Sequence, residues 1–468
     1  MRARLRAAAI VAITACVAMG QAACQRDKAA ASLVLIGRSV VTVNAQREVY
    51  SPGAVAIDGT TIVGVGTPES ILSAFAPREV IDAPNEIVLP GLINTHTHAP
   101  MVLYRGLADD LALMDWLQKY IFPAEAKTVS PEFVRIGTRL AALEMIESGT
   151  TTFADMYYFE EEIAKETKAA GLRGVLGQTV IQFPVADAKT PAEGLARAEA
   201  FIQAFRDDPL IVPAVAPHAM YTLDRDTLVR SAELGRGYGV PVLIHLAETE
   251  DEVRQSLATH QRSPTAYLEA IGFFGPRTLA AHGVWVTGDD MAILARRGVA
   301  VSHNPESNMK LASGAAPIPA LQAAGVTLGL GTDGAASNND LDMFEAMRQA
   351  ALLAKLAARS PTALPAPEAL EMATIGGARA LGLDALIGSI EPGKRADLVT
   401  VAVDSARETP LYDPISHLVY VTRGDDVRTT IVNGRILMLN RVTRTLDRRR
   451  VRTDALRAAE QVKAAVGR

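Results

Sequence analysis

From residue 87 to residue 335 the chain keeps returning to one pattern: a short apolar run, a polar residue at its end, then a stretch of helical spacing. Eight such runs are legible: "IVLPGLINTHTH", "TTFADM", "RGVLGQTV", "IVPAVAPHA", "PVLIHLAE", "LAAHGVWV", "VAVSHNP" and "TLGLGTDGA". Strands that alternate with helices build parallel sheets, because each parallel return needs a crossover. Eight such units over roughly 250 residues predict an α/β TIM barrel. A doubly wound sheet is the alternative, but no glycine-rich phosphate loop follows the first run. One helix carries its own punctuation. In "SPEFVRIGTRLAALEMIESG", Ser130 is the N-cap, Pro131 takes the first helical position and Gly149 marks the stop.

The flanks read differently. "SLVLIGRSVVTV", "GAVAIDGTTIVGVG" and "EVIDAPNEIVLPG" alternate and are broken by Gly, Asp and Pro, as strands are. "GKRADLVTVAVD" and "VRTTIVNGRILML" repeat that style near the other end. The expectation is a small β-sandwich made of residues 32–88 with 387–440, enclosing a barrel over 89–386. A basic helix over 441–468, Arg- and Ala-rich, is expected to be solvated.

The first 24 residues place three arginines before an apolar stretch and small residues, the layout of a secretory signal. "QAAC" resembles a lipoprotein cleavage site with Cys24 as the lipidated residue, although Gln21 stands where an aliphatic residue is preferred. "ITAC" at Cys16 fits that pattern better but leaves a short apolar region. The expectation is export, to the periplasm or to a membrane as an anchored lipoprotein. A homo-oligomer is compatible with the sequence.

Composition removes several classes. The 468 residues are 49% hydrophobic and 21% charged, which predicts a folded core. A net charge of -5 gives no case for a nucleic-acid partner. Both cysteines lie in the first 24 residues, so the body has no disulfide, no thiolate nucleophile and no Cys-based zinc site. The absence of a G-x-S-x-G elbow argues against a serine hydrolase. The Cys-dependent zinc deaminases are excluded by the same lack of cysteine.

Six of the eight histidines sit at or near strand ends, where a TIM barrel places its chemistry. His96 and His98 close the first run, and residues two apart on a strand share a face. Taken alone, that pair leaves a metal clamp and two loop histidines equally open. His218 closes the fourth run, His245 lies on the fifth with Glu248 beyond it, His282 on the sixth, His303 on the seventh and Asp333 on the eighth. Only His260 and His417 fall elsewhere. Neutral imidazoles with a carboxylate suit a divalent ion such as zinc, with a position left for water whose pKa falls to about 7. A nearby glutamate then moves the proton to a leaving group.

The segments "PGLINTHTHAPMVLYRGLADDLALMDWL", "HLAETEDEV", "AHGVWV", "SHNPESNMKLASG" and "GTDGAASNNDLDMFEAM" resemble the amidohydrolase superfamily, in particular its methylthioadenosine/S-adenosylhomocysteine deaminase branch. "IGSIEPGKRADLV" resembles the return to the β-domain in the same enzymes. The resemblance spans about residues 32 to 440. It implies one divalent metal, zinc or alternatively iron, held by His96, His98, His245 and Asp333, with no carboxylated lysine. It implies Glu248 as proton shuttle, His282 as a residue orienting the attacking water and Asp333 as acceptor of its proton. It also implies that Trp116 covers the base, Glu125 holds the ribose diol, His218 lies near base or sugar and His303 lines the pocket floor. The branch grips a homocysteine carboxylate with further arginines. Here the third run offers only Arg173 at its start and Gln178 near its end, which favours methylthioadenosine, adenosine or 5'-deoxyadenosine as the small-molecule substrate. The alternatives are a related hydrolase acting on a triazine, guanine, cytosine or pterin, or a non-catalytic binding barrel.

Overall fold

The structure, a computed structural model, describes residues 28–467. The expected signal segment, with Cys16 and Cys24, lies outside the described residues. Eight parallel strands close into a barrel in chain order: Leu92–Thr97, Thr150–Tyr157, Arg173–Val180, Ile211–Pro217, Val242–Leu246, Thr278–His282, Ala300–His303 and Leu328–Leu330. The last meets the first at Leu330 and Asn94. Each expected run supplies one strand, but the first is divided. Its residues up to Pro90 finish a long strand, Phe75–Pro90, of the small sheet. Gly91 then allows the turn into the barrel, where a Cβ would stand 2.1 Å from Thr151 Oγ1. The helix Pro131–Ser148 begins and ends as its sequence predicts. Ser130 accepts from the Phe133 N–H, and Gly149 caps the end at φ 88°.

The small sheet has nine strands, drawn from both ends of the described chain. Phe75–Pro90 joins the two halves, parallel to Ala29–Val41 and antiparallel to Leu398–Ala402. Alternation then sorts its side chains. Leu33, Leu35, Val55, Ile57, Val88, Leu398 and Ile431 form a core of the sheet's own, while Ile87, Leu89, Val399 and Val401 face the core shared with the barrel. The sheet runs on to Val442–Thr443, which pairs with Met438 and Leu439.

One sequence reading is sharpened here and one expectation changes. Arg173 stands at the start of the third barrel strand, at the face away from the strand ends. Its guanidinium reaches both carboxylate oxygens of Asp397, at 3.1 and 3.4 Å, and the Pro209 carbonyl. It therefore ties barrel to sheet and cannot touch a substrate. The terminal helix, Arg448–Val466, is not simply solvated: Val451, Ala455, Ala458 and Val462 are buried against the barrel's helices. Its arginines lie on the remaining faces, which is why composition alone read it as exposed.

Candidate active site

His96 and His98 come from the end of the first strand, and the strand's period of two brings both rings to the barrel mouth, with centroids 4.9 Å apart. His245 on the fifth strand lies 4.9 Å from His96. Asp333 follows the eighth strand in the left-handed region, at φ 63°. Its N–H donates to the His96 carbonyl, its Oδ1 accepts from the Gly334 N–H, and its Oδ2 accepts from the hydroxyls of Ser307 and Ser337. Backbone strain of this kind persists only where such contacts over-determine it. His282, also left-handed at φ 76°, completes the cluster.

The donor atoms of His96, His98 and His245 lie within 4.8 Å of one another, as do those of His96, His282 and Asp333. These residues fit a divalent cation. The His98 Nδ1–H donates to the Met156 carbonyl at 2.7 Å and the His245 Nδ1–H to the His218 carbonyl at 2.8 Å, so the Nε2 atom of each ring is left for a ligand bond. His96 Nε2 is buried and makes no hydrogen bond, although Asp333 Oδ1 stands 3.3 Å away. Burial alone would raise the Asp333 pKa, yet His96 and His98 hold it well below the carboxylate range. Burial alone would lower that of His98, yet the Asp333 carboxylate beside it lifts it to about 9. Burial pushes His96 down to about 4.

Glu248 lies two residues past the fifth strand, with its Oε2 3.7 Å from His282 Nε2. Burial, more than any charge, raises its pKa. Its backbone is held by Glu252, whose two oxygens accept from the Ala247 and Glu248 N–H groups at 3.0 and 2.8 Å. The His282 Nδ1–H donates to Asn308 Oδ1 at 2.9 Å, which turns Nε2 toward Glu248.

A pocket opens over this cluster, with Trp116, Glu125 and His218 on its walls. The Trp116 indole is buried and its N–H has no protein acceptor. Glu125 accepts from the Tyr157 hydroxyl at 2.7 Å, and burial raises its pKa to about 7. The His218 ring is turned by Thr222 at 3.0 Å, and burial lowers its pKa to about 3. His303, like His96, is absent from the pocket wall, and unlike His96 it belongs to neither group of possible metal donors; it is buried with neither ring nitrogen partnered.

Several working residues escaped the sequence reading: Ser307, Ser337, Asn308, Tyr157 and Glu252. A signal existed for one of them. Thr249 three residues before Glu252 has the spacing of a helix capping box, and Thr249 does cap that helix. The serines and Asn308 carry no local signature, because their partners are remote in sequence.

Glu125 also lines a second hollow, with Phe122, Tyr158, Phe183, Pro184 and Val185 and with no basic residue on its wall.

Comparison with known proteins agrees with this geometry. The sequence pattern of the amidohydrolase family matches residues 87–437. A 5-methylthioadenosine/S-adenosylhomocysteine deaminase of Syntrophobacter fumaroxidans is 48% identical over 417 residues, covering 89% of this chain and 95% of that one. A 5'-deoxyadenosine deaminase of Methanosarcina barkeri is 44% identical over 434 residues, covering 92% and 98%. The crystal structure of an adenosine deaminase from Xanthomonas campestris with bound zinc superposes with a TM-score of 0.92 at 41% identity, covering 93% of this chain and 100% of that one.

Proposed function

This chain belongs to the amidohydrolase family, and from that premise we propose that it is a metal-dependent deaminase releasing ammonia from an adenine nucleoside. The observation that carries the reading is the shared pocket. Glu248, His98, His245 and Asp333 face the same space as Glu125, Trp116 and His218, with the His96 ring directly behind, 4.9 Å from those of His98 and His245. A non-catalytic barrel has no use for a buried acid at that point, and a free base or triazine has no use for Glu125. The relatives named as deaminases of adenine nucleosides support the same reading.

His96, His98, His245 and Asp333 would hold the ion, which we take to be zinc from the donor set of nitrogen and carboxylate. When bound, a divalent ion supplies the Lewis acid that makes water a nucleophile at neutral pH. Asp333 Oδ1 accepts a proton from water as it adds to C6 of the base. Glu248, whose pKa burial raises, donates to N1 of the ring. His282 Nε2, fixed by Asn308, orients the water between these groups. The adduct then loses ammonia, with a proton returned to the leaving nitrogen and C6 becoming a carbonyl. Trp116 and the surrounding apolar side chains keep bulk water from the ring.

The second hollow bears on the finer substrate. Its wall is mostly apolar, with the Glu125 carboxylate and no basic residue, which suits an uncharged group at the 5' position, such as methylthio, hydroxyl or hydrogen, and gives no cationic partner to a homocysteine carboxylate. Ammonia release from methylthioadenosine, 5'-deoxyadenosine, adenosine and S-adenosylhomocysteine, run beside free bases and triazines, tests this. Turnover of free bases alone would overturn the nucleoside reading.

For the N-terminal segment, we propose export with removal of the first 16 to 24 residues, supported by its arginines and apolar run. Lipidation at Cys24 or Cys16 is the finer form. Fractionation with N-terminal analysis decides, and a full-length chain found only in cytoplasm overturns it.

A further inference from the structure

Trp116 and Glu125 stand nine residues apart and both face the pocket. In a straight α-helix, nine residues of 100° leave two side chains about 180° apart, on opposite faces. The stretch solves this with a π-helical turn, Leu117–Ile121, between the helices Leu113–Trp116 and Phe122–Thr128. The wider turn takes up roughly one residue and about 100° of the difference. Leu113, Leu117, Ile121 and Phe122 then join the same wall. A π turn is rare because its hydrogen bonding and packing are poorer than those of an α turn, and it needs support from outside.

The outer side of this cap carries Lys119, Tyr120, Pro123 and Lys127, which with Leu107 and Val466 line one small hollow, and the terminal helix packs on Phe122–Thr128. The Lys127 ammonium donates to the Ala465 carbonyl at 3.1 Å. Val466 is the last member of a stripe that begins with Val451, Ala455, Ala458 and Val462, spaced by three and four residues along one face of the terminal helix. Two alanines in that stripe let the helix approach closely. Arg448 reaches Glu147 at 3.1 Å, which fixes the far end of the helix to Pro131–Ser148. One helix thus spans from a barrel helix to the back of the cap.

We propose that the terminal helix is a brace that holds the π turn in register, so that Val466 and Lys127 are positioning residues for Trp116 and Glu125 and set the affinity for the nucleoside. The inference rests on the nucleoside reading for its substrate but not for its mechanics. No ligand of the metal cluster lies on the cap or the brace, so loss of the brace should weaken substrate binding and leave the turnover step in place.

The test compares the full chain with a form ending at Leu446, and with Val466→Asp, Val466→Leu and Lys127→Ala in the full chain. The protein has two tryptophans, so a Trp285→Phe background makes Trp116 the sole reporter. Truncation should raise KM for adenosine by about tenfold or more, with kcat within about threefold and metal content unchanged. Acrylamide quenching of Trp116, measured without substrate, should increase several-fold. Val466→Asp and Lys127→Ala should move both readouts the same way, and Val466→Leu should behave as wild type. Unchanged KM and quenching in the truncated form overturn the brace. If the truncated form does not fold, Val466→Asp decides alone: a raised KM with faster quenching supports the brace, and unchanged values overturn it. A full chain that never turns over a nucleoside overturns the functional reading instead, and leaves the quenching result to judge the brace.

Discussion

Replacing adenosine by 2'-deoxyadenosine removes one donor from the reach of Glu125. The carboxylate is buried, and one of its oxygens already accepts from the Tyr157 hydroxyl. Hydrogen bonds to charged groups contribute roughly 1.5–3 kcal/mol. Because Tyr157 stays in place, the carboxylate is never left bare, and the loss should fall near the lower figure. That corresponds to about tenfold in kcat/KM at pH 8. Burial has raised the Glu125 pKa to about 7, so the group is a carboxylate above that pH and a neutral acid below it. A neutral hydrogen bond contributes about 0.5–1.5 kcal/mol, so at pH 6 the preference should shrink to about threefold. The ribo/deoxy ratio therefore grows as pH rises through 7. The Tyr157 bond acts to lower the Glu125 pKa, so Tyr157→Phe should move the midpoint upward. The assay is ammonia release on both substrates between pH 6 and 8, with 3'-deoxyadenosine as a parallel arm. Equal rates on ribo and deoxy substrates at pH 8, or a ratio unchanged in Glu125→Gln, would refute the assignment of Glu125 to the diol.

Purified protein should carry about one divalent ion per chain, and chelation should abolish activity that zinc restores; elemental analysis showing two ions would count against the cluster described. Ser307→Ala with Ser337→Ala frees Asp333 Oδ2, and should weaken metal binding by about 10- to 100-fold in competition with a chelator. Glu248→Gln should lower kcat by about 10²- to 10⁴-fold with metal content near wild type; near-normal turnover would remove Glu248 from the proton path. Arg173→Ala leaves Asp397 buried beside the Asn433 N–H alone, and should destabilise the fold by about 3–5 kcal/mol in denaturant titration. The same variant should keep its KM wherever it remains folded, since Arg173 lies at the barrel's other face.

The local elements were legible because their causes are local. Alternation made the flanking strands, a Ser-Pro start and a glycine stop made Pro131–Ser148, and a period of two placed His96 and His98 on one face. Histidines at successive strand ends were enough to point at one centre, because barrel closure brings all strand ends to one mouth. Tertiary structure decided what no window of sequence contains. It brought His282 within reach of His96 beside the expected four ligands, and it set Ser307 and Ser337 on Asp333. It placed His303 off the pocket wall and Arg173 at the far face, although both sit on the strands where sequence put them. It also turned Glu125 onto the side of Trp116 through a π turn, and laid the apolar stripe of a basic helix against Phe122–Thr128, the helix that follows that turn. Each of these depends on groups distant in the chain meeting at a few ångströms, which the spacing of residues along one strand or helix does not specify.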